Sequence, residues 1–283
     1  MIAFNPERVE IESEQVAGYN LKTGMTVTDN VDGNIDPSKV EVTGTINKNP
    51  GSYTITYKVR DRLGNETVKT RVFVVKDLTK PVITLNPNEQ NTFVQSQKIT
   101  ISATDNIKVT SLKYVIKKDG VAGAEQTIQG TSGTVTLDQT GKYVIVVTAV
   151  DNSNNVATKT SGTYKIDRVQ PTIKFDNVTL KITQVAGYNL LTGVTVTDNS
   201  GVTPSIKTTG QLSASLGNQT ITYTATDEAG NSISRTRTFT IVEADGPILN
   251  FDNAGKGIWT KALDIKVTST DNSNLKSFTY EVF

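Results

Sequence analysis

The side chains in this sequence that could do chemistry are carboxylates and the amides beside them. Cysteine and histidine are both absent, which removes disulfides, thiolate nucleophiles, the serine-histidine-aspartate arrangement and the usual nitrogen and sulfur ligands of zinc. What remains is a set of aspartates heading short polar segments: DRLGN from Asp61, DNSNN from Asp151 and DEAGN from Asp227. Carboxylates, amides and backbone carbonyls are the oxygen-rich shell that calcium takes. The same segments also read as hairpin turns, with aspartate capping the turn and glycine or asparagine in the left-handed conformation. A further acidic stretch, DNVDGNID from Asp29 to Asp36, alternates carboxylates and amides around Gly33. It lacks the twelve-residue spacing and terminal glutamate of the helix-loop-helix calcium loop, so a polar turn is its plainer reading.

Other chemistry finds little support. Glycoside hydrolysis needs two carboxylates across a cleft at a set separation, and carboxylates spread over loops supply no cleft. There is no recognisable nucleophile and base pair and no phosphate-cradling glycine loop, so no catalytic site is expected and no cofactor is required. Lys and Arg number 29 against 28 Asp and Glu, a net charge of +1, which gives no electrostatic footprint for nucleic acid or an acidic membrane. No stretch approaches the roughly 18 apolar residues that span a bilayer, and the opening MIAFNPERVE is not a signal peptide. Membrane insertion is not expected, and any export signal or wall anchor is expected outside this stretch of chain.

The elements that must carry these loops are strands. Tyr53, Ile55, Tyr57 and Val59 alternate with Thr54, Thr56, Lys58 and Arg60, a period of two that buries one strand face and wets the other. The same register recurs at Tyr143, Ile145, Val147 and Ala149, and at Ile221, Tyr223 and Ala225. No window carries a helical stripe. Larger repeats organise the strands: QVAGYNLKTGMTVTDN at Gln15 returns as QVAGYNLLTGVTVTDN at Gln184, and Asp61 and Asp227 lie 166 residues apart (227 − 61). ITISATDN, ending at Asn106, returns as IKVTSTDN, ending at Asn272. Two unit types therefore alternate, A, B, A, B, over residues 1–77, 78–167, 168–243 and 244–283, the last stopping after about three strands. DLTKP, DRVQP and ADGP mark the junctions, where proline stiffens the passage into the next strand. Linkers this short favour a rod.

Several short strands per unit predict an all-β protein of tandem antiparallel two-sheet sandwiches, elongated, with an incomplete last member. GSY at Tyr53 and GKY at Tyr143 sit where such a sandwich turns into its penultimate strand and a tyrosine bonds back to the backbone; Gln219 in the third unit puts that bond in question. GMTVTDNVDGNID followed by GSYTITYKVRDRLGN resembles the bacterial immunoglobulin-like repeats found in tandem on Gram-positive surface and secreted proteins, and the B units resemble a sister type. The resemblance implies an extracellular location and a role in stalks, adhesins, surface-layer proteins or accessory modules of secreted enzymes and toxins, but no single ligand.

In such a sandwich the loop after the second strand and the loop between the last two strands share an end with the incoming chain. That would bring Asp77, Asp105 and Asp151 together at one junction, and Asp167, Asp198 and Asp227 at the next, as candidate calcium ligands. Expected partners are neighbouring domains of the same longer chain and a cell-wall or host-surface ligand. Material for a glycan-stacking platform is thin: aromatics make up 6% of residues. The single tryptophan, Trp259, aligns with Phe93 as a packing residue, and Tyr19 and Tyr188 are the repeated aromatics available for contact.

Overall fold

The computed structural model describes residues 1–243, 246–251 and 266–270 together with positions 277 and 279. The chain divides into two compact units: Met1–Asn91 with Ser96–Ile166, and Thr92–Gln95 with Asp167–Phe283. Apart from three short 3-10 turns, every regular element among the described residues is a strand.

The first unit holds one sandwich and most of a second. The first is built from β1 (Ile2–Phe4), β2 (Arg8–Glu12), β3 (Met25–Asp29), β4 (Gly33–Asn34), β5 (Glu41–Thr43), β6 (Gly51–Arg60) and β7 (Glu66–Lys76). Its sheets are β1-β3-β4 and β2-β7-β6-β5. Ile55, Tyr57 and Val59 point inward from β6 and meet Val9, Ile11, Met25, Val27 and Phe73 in one core. The sheets depart from purely antiparallel pairing at one place: the leading strand is divided, β1 running antiparallel to β3 while β2 crosses to the other sheet and runs parallel to β7.

The second sandwich comprises β8 (Val82–Asn86), β9 (Gln90–Val94), β10 (Gln97–Thr104), β11 (Val109–Lys118), β12 (Val121–Ile128), β13 (Ser132–Leu137), β14 (Gly141–Asp151), β15 (Val156–Thr160) and β16 (Tyr164–Ile166). One sheet is β13-β10-β8 and the other β12-β11-β14-β16-β9, with β15 also on β14. Tyr143, Ile145, Val147 and Ala149 are buried from β14.

In the second unit β17 (Thr172–Lys174), β18 (Val178–Lys181), β19 (Thr195–Thr197), β20 (Ser205–Thr209), β21 (Gly217–Thr226) and β22 (Ser232–Val242) repeat the first sandwich. The sheets are β17-β19 and β18-β22-β21-β20, and β18 again runs parallel to β22. Beyond them β23 (Ile248–Phe251) pairs antiparallel with β24 (Val267–Thr270). Trp259 and the expectations for the incomplete fourth unit lie outside the described residues.

The repeated QVAGYN segment is a packing device. Tyr19 sits edge-on to Phe73, and Tyr188 edge-on to Phe239. The Tyr57 hydroxyl donates to the Leu21 carbonyl and the Tyr223 hydroxyl to Leu190, both at 2.6 Å. Under each segment lies a buried arginine. Arg71, 2% exposed, donates to the carbonyls of Pro6 and Thr23 and stacks over Phe4 and Phe73. Arg237 does the same with Asp176, Thr192 and Phe239. Carbonyl acceptors and ring faces offset the cost of burying that charge. Gly24 closes the segment at φ +73°, and a Cβ there would lie 2.2 Å from the Asn5 carbonyl oxygen.

The corners are filled in two ways. The Tyr53 hydroxyl lies 2.7 Å from the Asn49 carbonyl, and Tyr143 donates to Gln139 at 2.7 Å. In the third sandwich Gln219 takes the role with an amide: its Nε2 donates to the carbonyls of Ser213 and Ser215, and its Oε1 accepts from the Ser213 N–H.

Candidate metal centres

Asp77 follows β7, Asp105 follows β10 and Asp151 closes β14. One carboxylate oxygen from each lies within 4.8 Å of the others. Asp77 and Asp151 are 4% and 1% exposed. The Asp151 carboxylate is largely committed to its own turn: Oδ1 accepts from the N–H groups of Ser153 and Asn155, and Oδ2 from the Asn155 side chain at 2.8 Å. Asp105 caps its loop through Oδ2, which accepts from Ile107 and Lys108. Asp77 accepts through Oδ1 from Thr79 and from Asn106 Nδ2. That leaves Asp77 Oδ2 and Asp105 Oδ1 buried without a hydrogen-bond partner, along with Asn106 Oδ1 and Ser153 Oγ.

The second unit repeats this chemistry. Asp167, Asp198 and Asp227 each contribute an oxygen within 4.8 Å of the others, and Asp167 is fully buried. Asp227 is clamped by Asn231 through both backbone and side chain, and Asp198 Oδ1 caps Ser200. Asp167 Oδ1 accepts from Val169 and Asn199 Nδ2. Asp167 Oδ2 and Asp198 Oδ2 are buried and unpartnered. No lysine or arginine among the described residues forms an ion pair with any of these six aspartates.

Sequence reasoning missed the asparagines. The last residue of each hairpin loop does more than end the turn: Asn155 Nδ2 donates to the backbone carbonyl of Asp77 at 2.9 Å, and Asn231 Nδ2 to that of Asp167 at 3.1 Å. Asn106 and Asn199, which end the TDN motifs, hold the carboxylates of the same aspartates. The signal was present, since each asparagine stands at a fixed offset from its aspartate in both units. Asn106 Nδ2 also reaches Ser13 Oγ of the first sandwich at 3.1 Å.

The equivalent end of the first sandwich is arranged differently. Asp61 is clamped by Asn65 as its counterparts are, and Asp29 accepts from Val31 and Asp32, but among the described residues no third carboxylate completes a trio with them. The nearby Asp32 is instead paired with Arg62 at 2.9 Å. The Asp32 and Val31 N–H groups hold the Asp29 carboxyl below its ordinary value, against desolvation and the nearby Asp61 charge. The Asn65 side chain does the same for Asp61. DNVDGNID is a polar turn in which Asp36 caps the following 3-10 turn by accepting from Ser38.

Three converging carboxylates with orphaned oxygens, and no ion pair to lysine or arginine among the described residues, can hold a hard, oxygen-seeking metal ion.

Residues 13–75 match the family described as bacterial surface protein, Ig-like domain. The whole of that match lies within the first sandwich. Its Ig-like architecture recurs in the third sandwich, with the divided leading strand and the buried arginine. An uncharacterised 81.3 kDa protein of Acholeplasma phage L2 is 34% identical over 145 residues, which is 48% of this chain and 18% of that protein; the chain thus spans under a fifth of that relative. Solved structures with local similarity include the CBM51-2 and INT domains of Clostridium perfringens ZmpB (16% identity, 59% of this chain and 48% of that one, TM-score 0.25). A calcium-stabilised ice-binding adhesin of an Antarctic bacterium aligns at 15% identity over 86% of this chain and 74% of its own (TM-score 0.30). The D1–D4 ectodomain fragment of ICAM-5 aligns at 10% identity over 88% and 79% (TM-score 0.39). No helix among the described residues is long and apolar enough to cross a membrane.

Proposed function

We propose that this chain is a non-catalytic segment of a bacterial cell-surface protein, acting as a semi-rigid stalk or spacer or as part of an adhesin or surface-layer assembly. The observation that carries the reading is the tethered passage from the first sandwich to the second. β7 ends at Lys76 and β8 begins at Val82, so the stretch 77–81 is the whole connection. It is held at its first residue, Asp77. Asn155 grips the Asp77 carbonyl, Asn106 bridges the Asp77 carboxylate and Ser13, and Pro81 fixes one more torsion. A linker pinned to the next sandwich at its first residue transmits orientation, whereas a solvated one of similar length would let its neighbours swing.

Repetition then sets reach, each core folding as a small module that neighbours support. The partners of this reading are further domains of a longer chain and a wall or host-surface ligand carried elsewhere on it. Amide relaxation on the full chain tests it: strands β6 and β7 share one rotational correlation time with β10 and β14 if the passage is stiff. Independent tumbling of the two sandwiches would overturn the spacer. Saturable binding on a glycan array would favour instead an accessory binding module of a secreted hydrolase or toxin.

A further inference from the structure

We propose that each aspartate trio is a calcium site, one formed by Asp77, Asp105 and Asp151 and the other by Asp167, Asp198 and Asp227. Two oxygens bound to one calcium at about 2.3–2.6 Å can lie no farther apart than the diameter of the shell, about 5 Å. In each trio, oxygens from three separate chain segments fall within 4.8 Å of one another. A second observation is independent of that clustering. Asp77 and Asp167 are 4% and 0% exposed, and in both the Oδ2 atom is buried with no hydrogen-bond donor. A carboxylate oxygen left in that state is costly unless a positive charge meets it, and no lysine or arginine among the described residues does so. A divalent cation supplies that charge.

The donor set selects the ion. Only oxygens are available, in a chain without histidine or cysteine, which points to a hard cation. Calcium accepts six to eight oxygens in loose geometry, whereas magnesium demands a near-octahedral shell and keeps its waters. Carboxylates fixed by turns on three different segments suit the former. In the first trio the buried, unpartnered Asn106 Oδ1 and Ser153 Oγ offer further oxygens from the same loops. Bound there, calcium ties the linker residue Asp77 to two loops of the second sandwich. This mechanical part deepens the spacer reading and rests on it, while ion binding does not.

The test is calorimetric titration of the full 283-residue chain, stripped of metal by chelator, with calcium chloride, alongside melting curves with and without the ion. Two ions per chain are expected, with dissociation constants at or below about a millimolar and a melting temperature raised by about 5 °C at saturation. Asp77→Asn and Asp167→Asn each remove one ion, and the double variant removes both. Asparagine keeps the shape and the Oδ1 acceptor, so in chelator each variant melts no lower than the parent; Asp105→Asn serves as the second variant at the first site should Asp77→Asn not fold. Absence of heat and of any melting shift at about 10 mM calcium overturns the proposal. So does retention of two ions by the double variant, which assigns them to exposed carboxylates. Binding without shared tumbling of the first two sandwiches leaves the sites standing and removes the spacer; shared tumbling without binding removes only the sites.

Discussion

The same two loops meet at the head of the first sandwich and at the head of the second, and they meet differently. At Asp29 and Asp61 the carboxylates are half-buried and satisfied by turn donors, and the adjacent Asp32 has Arg62. At Asp105 and Asp151 a third carboxylate, Asp77, arrives from the linker, the group is more deeply buried, and two of its oxygens have no donor. One added residue turns a capped hairpin into an unbalanced anionic pocket. A turn motif and a ligand motif can thus be the same residues, and the incoming chain decides which they become.

The largest contrast is expected for the hairpin aspartates themselves. With calcium present, Asp151→Ala strips buried donors of their acceptor and costs roughly 3 kcal/mol in chemical denaturation. Asp61→Ala, whose partners water can reach, costs clearly less. Equal losses would break the comparison. Next come the asparagines: Asn155→Ala loses the bonds to both Asp151 and the Asp77 carbonyl, about 1–2 kcal/mol, and also loosens the passage between sandwiches as read by amide relaxation. Asn65→Ala, bonded to Asp61 alone, has no such second effect.

Acid sharpens the contrast from the other side. Asp29 and Asp61 have folded-state values lowered from 3.8, so the stability they contribute is complete above that ordinary value and is lost as pH falls through the lowered ones. Denaturation midpoints of the first sandwich should therefore decline below about pH 4, and Asp61→Asn should flatten part of that slope. The smallest effect belongs to Arg62→Ala. Its ion pair with Asp32 is exposed on the arginine side, and its loss changes stability by under about 1 kcal/mol.

Much of this could be read before any coordinates. Alternation at Tyr53–Val59 and Tyr143–Ala149 places core residues because a strand offers only two faces, and the order of loops in a sandwich fixes which aspartates can meet. Arg71 and Arg237 were not legible: composition treats arginine as a surface residue, and only the fold shows carbonyls and aromatic faces gathered around it. The parallel run of β2 beside β7 was hidden for a related reason, since pairing direction depends on the strand's switching sheets, and period-two alternation is the same for either direction. Gln219 shows a third limit, in that a corner needs a donor at the right reach, and an amide supplies it as well as a phenol does.

That parallel pair has a consequence for load. β2 lies near the start of its domain and β7 at its finish, with Arg8 opposite Val72 and Glu12 opposite Lys76. Tension drawn from the chain's two ends pulls such neighbours past one another lengthwise, so all the bonds of the ladder must yield together instead of opening one at a time from a frayed tip. β18 beside β22 gives the third domain the same construction. Each is thereby a clasp in shear, strongest along the direction in which a tether is pulled.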